Sequence, residues 1–314
     1  RLFAPKVIEG YREMMQQLSD DLVGQLRRDR PVDLDKLSLT MAGQVAARVV
    51  GLTNSSPAGM TRRIEGFLQG GPPTNRRSPA AILRLVHNRT TLLRFFYLDV
   101  KPAIRARRRQ PGDDVISTLL AQGFSDLDIL TECVTYGAAG MATTREFITV
   151  AAWHLLDRPD LLARYRAAEM DERIEILSEI LRLEPVIGHL TRRTTESVTL
   201  PTPDGDQVVP ADALIDVDIR ATNADPDTVG ALPLSLCPAR ELPRSVPPVL
   251  MSFGDGHHKC PGGPMAIMES EIFLTTLLSR DVVSAGPPRV RWNALTQGYD
   301  LDRFLLRLAP SKSQ

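Results

Sequence analysis

Apolar residues recur every three to four positions through the first two-thirds of the chain. VIEGYREMMQQLSDDLVGQLRRD (7–29) and LDKLSLTMAGQVAARVVGL (34–52) both carry this spacing, which predicts amphipathic helices. GGPPTNRRSP (70–79) interrupts it as a loop between helices. AILRLVHNRTTLLRFFYLDVKPAIRARRR (81–109) resumes it and ends in an arginine run, which reads as a solvated helix end suited to the macrodipole. Ser125, with Asp128 three residues on, caps the longest predicted helix, which continues to about Leu156 before DRPD stops it. A run of about thirty residues makes a rod of roughly 45 Å, enough to cross a domain. A further helix is predicted from about Asp171 to Leu183, halted by Pro185.

A period of two replaces the helical one in SVTLPTPDGDQVVPADALIDVDI (197–219). Short alternating segments separated by PDG and Pro210-Ala211-Asp212 turns predict hairpin strands there. A Pro-rich coil follows from Asn223 to Leu250, then a last helix from about Gly263 to Leu278 and a short β-like tail. The expected fold is mainly α (α+β), one domain over 1–314 with small sheets.

Composition narrows the function. Lys plus Arg equals Asp plus Glu at 38 each, so no overall field draws the chain to nucleic acid or anionic membrane. No apolar run reaches eighteen residues, so no membrane-spanning helix is expected. Cys133, Cys237 and Cys260 are far apart and odd in number, which fits a reducing compartment, hence a cytoplasmic location. The chain opens on RLFAPKVIEGY, with neither methionine nor signal peptide, and a preceding N-terminal portion is expected.

The chemistry concentrates in FGDGHHKCPGG (253–263). A zinc site wants four ligands in recognisable pairs, and only His257, His258 and Cys260 cluster here. A nucleophilic cysteine needs a base, and His87, His154 and His189 are scattered. A phosphate loop would be followed by G-K-[ST], which is missing. Pro261 is the expected first residue of the following helix, which places the Cys260 thiolate at a helix N-terminus. Glycines at 254, 256 and 262 let the backbone approach a flat partner closely. A glycine-walled loop presenting one stabilised thiolate suits the axial position of haem.

Phe253, Gly254, Gly256, His258, Cys260 and Gly262 together resemble the cysteine-ligand signature of the cytochrome P-450 superfamily, the haem-thiolate monooxygenases, of the soluble bacterial type. Three further motifs follow the family's order. Glu179-Ile-Leu-Arg182 resembles its E-x-x-R helix and, with Arg240, its Glu-Arg-Arg structural network. Arg192 in RRTTESV resembles the arginine directed at a haem propionate, with Arg193 as rival and His258 as the second propionate candidate. AAGMATTREF resembles the oxygen-side motif, aligning Ala139, Gly140, Thr143 and Thr144. Gly140 would leave room for dioxygen and Thr143 would offer a hydroxyl; the plainer account is a packing glycine and a back-bonded threonine. Ala142 departs from the acid usual at that position, and Glu146, one turn on, is a substitute.

The resemblance implies the P-450 fold, with haem b (iron protoporphyrin IX) between the long central helix and the cysteine-loop helix and Cys260 as the iron ligand. It implies that the family's N-terminal sheet and helices lie upstream of Arg1. It also implies an oxidoreductase that activates dioxygen and inserts one oxygen atom into a small organic or natural-product substrate. Electrons would come from a ferredoxin and its reductase. Thr135 and Ala138 on the long helix, and Val186, Ile187, Gly188, His189 and Leu190, are the residues expected to face substrate. Ala142 keeps open peroxide-driven, coupling or isomerising chemistry, or a degenerate haem binder without activity. Neither nucleic acid nor membrane is an expected partner.

Overall fold

The computed structural model describes residues 3–68, 79–294 and 296–310. Helices α1 (Pro5–Glu9) and α2 (Arg12–Val23) lead to strand β1 (Val32–Asp33) and helix α3 (Leu34–Val50). Helices α4 (Pro57–Leu68) and α5 (Pro79–Phe95) follow, and α5 continues through a π turn (Phe96–Val100) into α6 (Lys101–Arg109). Then come α7 (Val115–Ala121), the long α8 (Asp126–Asp157), α9 (Pro159–Ala167) and α10 (Met170–Leu183). Strands β2 (His189–Arg193), β3 (Val198–Leu200), β4 (Gln207–Val209) and β5 (Leu214–Asp218) precede short helices α11 (Ile219–Asn223) and α12 (Pro226–Val229). Helix α13 (Gly263–Leu278) and strands β6 (Val282–Ser284), β7 (Arg289–Asn293), β8 (Gly298–Asp302) and β9 (Leu305–Leu308) end the chain.

Two compact units share these elements: Arg1–Met170 with Pro261–Arg289 and Leu301–Gln314, and Asp171–Cys260 with Val290–Asp300. In the first, α8 packs along α3 and against α13, and α13 also packs on α2. A core of Phe95, Ile104, Ile116, Ile129 and Met141 joins α5–α8, and no residue named here is more than marginally exposed. Close approach is set by two glycines: a Cβ on Gly43 would sit 2.8 Å from Thr61 Oγ1, and one on Gly137 would sit 3.0 Å from Ile64 Cδ1. Strands β1, β9 and β6 form a small antiparallel sheet on this unit.

In the second unit β2 pairs with β5, and β3 with β4. The hairpin expected over 197–219 is thus only β3–β4; β5 leaves it to pair with β2, Arg192 opposite Ile215. The expected helix over 7–29 divides because Gly10 closes α1 and Gly24 closes α2. The long helix starts as expected: Asp128 N–H donates to Ser125 Oγ, and Ser125 N–H donates to the Asp128 carboxylate. Apart from Pro79, the loop expected at 70–79 lies outside the described residues.

Candidate functional site

The second unit carries the cysteine loop. Cys260 N–H donates to Phe253 O at 2.8 Å and Lys259 N–H to Gly256 O at 3.1 Å, so the chain from 253 to 260 closes on itself. Gly254 and Gly256 make this possible with φ of 66° and 65°, in the left-handed region that disfavours a side chain. His257 and His258 lie on a single 3-10 turn, both exposed. Cys260 is exposed, with a free thiol. One expectation needs correction: Pro261 does not start the helix. Gly263 does, Gly262 is its N-cap, and Pro264 in the first turn is the proline that the helix tolerates.

The loop is held from behind by buried polar groups. Glu179 accepts both Arg182 Nε and Nη2 at 2.7 Å, and its Oε1 also accepts Arg240 Nε at 3.3 Å and Cys237 N–H at 3.0 Å. The structure thus brings Glu179, Arg182 and Arg240 together. Fully buried Arg182 spends its other donor on Asn223 O and Pro233 O, at 2.8 and 2.9 Å. Buried charge survives only with such partners.

Asn223 escaped the sequence reading. Its Nδ2 donates to Arg182 O and Ser252 Oγ, and its Oδ1 accepts Met251 N–H at 2.9 Å, which links the end of α10 to the cysteine loop. No local pattern marks it, because all its partners are more than twenty-five residues away.

Strand alternation sorts the residues after α10. A Cβ on Gly254 would stand 3.6 Å from Leu190 Cδ1, so the Leu190 side of β2 faces the cysteine loop. Arg192 shares that parity and donates to Thr191 O at 3.0 Å. Arg193 has the opposite parity and donates to both Asp212 O and Asp212 Oδ1 at 2.9 Å. Asp212 itself sits at φ 64°, which aspartate tolerates.

His189 also lies on the side away from Leu190, with Nδ1 2.7 Å from Asp216 Oδ2. Gly188 donates its N–H to Thr296 O, and a Cβ there would fall 2.0 Å from Gln297 O, so this position accepts glycine alone. Val186 and Ile187 are half-buried beside it.

The first unit carries α8. Thr135 and Ala139 are exposed and Thr143 and Ala142 half-buried, and their spacing puts the four on one face. Ala138 is turned to the hydrophobic core instead. Thr143 Oγ1 donates to Ala139 O at 2.7 Å, and Thr144 is buried. A Cβ on Gly140 would meet Ala46 Cβ at 3.6 Å, an ordinary contact, so packing does not demand glycine there. Glu146 is buried, receives the Arg145 guanidinium, and accepts Leu301 N–H at 3.4 Å. Its carboxylate is already committed within the fold, which disfavours it as a stand-in for the acid missing at Ala142.

Whether haem suits these residues can be judged from the donor set. Among the described residues no group of three or more His, Cys, Asp or Glu side chains could hold a metal ion. A single exposed thiolate cannot build a protein-only metal site, but it completes the shell of an iron whose in-plane ligands come from a macrocycle. The residues present fit haem. Among the described residues, no helix is long and apolar enough to cross a membrane.

Known proteins agree. The profile described as Cytochrome P450 matches residues 82–295. Cytochrome P450 107B1 of Saccharopolyspora erythraea is 29% identical, covering 98% of this chain and 72% of the relative. The mycinamicin VIII C21 methyl hydroxylase of Micromonospora griseorubida is 26% identical over 88% of this chain and 67% of its own length. The crystal structure of CalO2 superposes with a TM-score of 0.82 at 22% identity, covering 98% of this chain and 75% of CalO2. P450BioI, solved with a fatty-acyl-ligated acyl carrier protein, gives a TM-score of 0.80 at 23% identity, over 98% of this chain and 76% of its own. The chain spans 64–72% of the length of three such curated relatives and 44–45% of two others. The structural likeness gives the P450 fold, and the family's cofactor is haem held by a cysteine thiolate. The chain belongs to the cytochrome P450 family.

Proposed function

We propose that the protein is a haem-thiolate monooxygenase that inserts one oxygen atom, by hydroxylation or epoxidation, into a small organic or natural-product-type substrate. The observation that carries this is the closed loop from Phe253 to Cys260, which ends in a lone exposed thiol. Haem b, when bound, supplies the iron and the redox chemistry that activates dioxygen. Cys260 would hold the iron, and Phe253, Gly254 and Gly262 would line the approach beneath the ring. Arg192 is favoured over Arg193 for a propionate because Arg193 is engaged by Asp212; His258 is the second propionate candidate.

On α8, Ala139 and Gly140 would leave space for oxygen, and Thr143 would hold a proton at Oγ1. Thr135, Val186, Ile187 and Leu190 would border the substrate, Leu190 from the side of β2 that meets Gly254, whereas Ala138 packs against the core and His189 turns to Asp216. A ferredoxin and ferredoxin reductase would deliver electrons in the cytoplasm. Relatives named a mycinamicin methyl hydroxylase and a cyclooctat-9-en-7-ol 5-monooxygenase support a natural-product substrate.

One observation favours a second reading. Position 142 is alanine and Glu146 is committed to Arg145 and Leu301, so proton delivery along this face has no carboxylate in hand. Peroxide brings its own protons and electrons, and peroxide-driven turnover would avoid that need.

The test is the carbon monoxide difference spectrum of the reduced, haem-loaded protein, followed by turnover in labelled dioxygen. A red-shifted thiolate band that disappears in Cys260→His, with label in the product, is the expected result. A normal histidine-type band in the unaltered protein would sink the proposal, and label arriving only from peroxide selects the second reading.

A further inference from the structure

A cavity of about 780 Å³ opens in the first unit, between the turn after α2, the start of α3 and the approach to β9. The backbone fixes its walls. Leu34 N–H donates to Phe304 O at 2.9 Å, Leu308 N–H donates to Arg27 O at 3.1 Å, and Asp33 pairs with Leu305. Its size is that of a small-molecule site, roughly 300–1,000 Å³.

The lining is basic. Arg27, Arg30, Lys36 and Arg303 border the cavity against one acid, Asp33, in a chain whose charges balance at 38 each. Arg27 is partly engaged, its Nη1 donating to Gly24 O and Leu26 O at 2.7 and 3.0 Å. Arg30, Lys36 and Arg303 are exposed and enter no ion pair among the described residues. Neighbouring acids point elsewhere: Asp35 pairs with Arg145 at 3.2 Å, and Asp302 lies 4.0 Å from Arg289. Three unneutralised cations around one cavity repel each other. Lys36 also sits in the first turn of α3, where the helix dipole disfavours a cation. An anion in the cavity would relieve both.

Two further details single out this place. Arg303 holds φ 56°, a left-handed backbone that disfavours a side chain. Asp33 is the N-cap of α3 yet makes no side-chain capping bond, and its buried Oδ1 has no hydrogen-bond partner among the described residues. A buried acceptor beside a basic cavity suits a ligand that brings a donor as well as negative charge.

We propose that this cavity binds a sugar phosphate, free or as part of a nucleotide. The guanidiniums of Arg30 and Arg303 suit phosphate oxygens bidentately, and Lys36 adds a point charge. A sugar hydroxyl would donate to Asp33 Oδ1, which an anion without a donor, such as sulfate, cannot do. Val32 and Leu305 supply an apolar wall on which a base could rest. The proposal does not depend on the haem chemistry.

The experiment is isothermal titration calorimetry of the full-length, haem-loaded protein at about 50 mM salt, with ribose 5-phosphate, adenosine 5′-monophosphate and sulfate. Ribose 5-phosphate should bind at least about tenfold more tightly than sulfate, and still tighter binding of the nucleotide would assign that form. Asp33→Ala should lower sugar-phosphate affinity about tenfold and leave sulfate affinity unchanged or raised. Arg30→Gln/Lys36→Gln should weaken both, with haem absorbance unchanged. Arg303→Gly should also weaken both without lowering the melting temperature, because it removes the charge and relieves the backbone together. Absence of saturable binding, or binding indifferent to the Arg and Lys changes, overturns the proposal. Sulfate binding as tightly as ribose 5-phosphate also overturns it and leaves an unselective anion site.

Discussion

Two buried glutamates, one behind the cysteine loop and one in α13, show two different treatments of a buried carboxylate. Glu179 has Arg182, Arg240 and a backbone amide around its carboxylate. Glu269 is equally buried, yet its Oε1 has no hydrogen-bond partner among the described residues, and burial alone pushes its pKa up to about 8. The first carboxylate is clasped by its partners and fixes a coil, whereas burial favours the neutral acid at the second, whose Oε1 has no partner among the described residues.

Breaking the first site gives the largest expected effect. Arg182→Ala would leave Glu179 buried with only the distant Arg240 guanidinium and one amide, and free the carbonyls of Asn223 and Pro233. Removing one member of a buried pair costs about 3–5 kcal/mol. Thermal denaturation should show a loss of that order, with weakened haem retention because the same network carries Asn223 and hence the loop. A melting temperature within a degree or two of the parent would mean that the network is dispensable.

The second site should respond through pH instead. A glutamate whose folded pKa lies near 8 and whose unfolded pKa lies near 4.5 binds more protons folded than unfolded between those values. Its stabilising contribution is complete below the unfolded pKa and is lost as pH rises, by about 1.4 kcal/mol per pH unit across that window. Glu269→Gln keeps the neutral shape and removes the titration. Melting curves from pH 5 to pH 8 should fall less steeply for this variant; parallel slopes would show that Glu269 is not neutral in the native state.

The same division governed what could be read from sequence. Local devices were legible: the Ser125–Asp128 box and the glycine-spaced cysteine loop both act within a few residues. Partners remote in sequence were not. Alternation identified β5 as a strand but could not say that it pairs with β2, and nothing near Asn223 announced its three distant partners. The proline error has the same root in miniature. Pro261 and Pro264 both satisfy the rule for a helix start, and the backbone of Gly262, whose carbonyl accepts Ala266 N–H, decides between them. Glu146 was legible as a carboxylate on the right face of α8, but its engagement by Leu301 was not.

Gly140 brings the contrast to its smallest scale, where stability and function should separate. Gly137, one turn earlier, is required by Ile64, so its conservation in any variant library would reflect packing. Gly140 faces Ala46 at a distance where a methyl group makes ordinary contact. Gly140→Ala should therefore leave the melting temperature unchanged or raise it, by up to about 1 kcal/mol of helix propensity. If the space beside residue 140 serves oxygen, the same substitution should slow product formation and raise peroxide release per electron consumed. A destabilised variant would return Gly140 to the packing class alongside Gly137. A stable variant with unaltered coupling would remove it from the oxygen side altogether and leave that role to Thr143, whose hydroxyl now rests on Ala139 O.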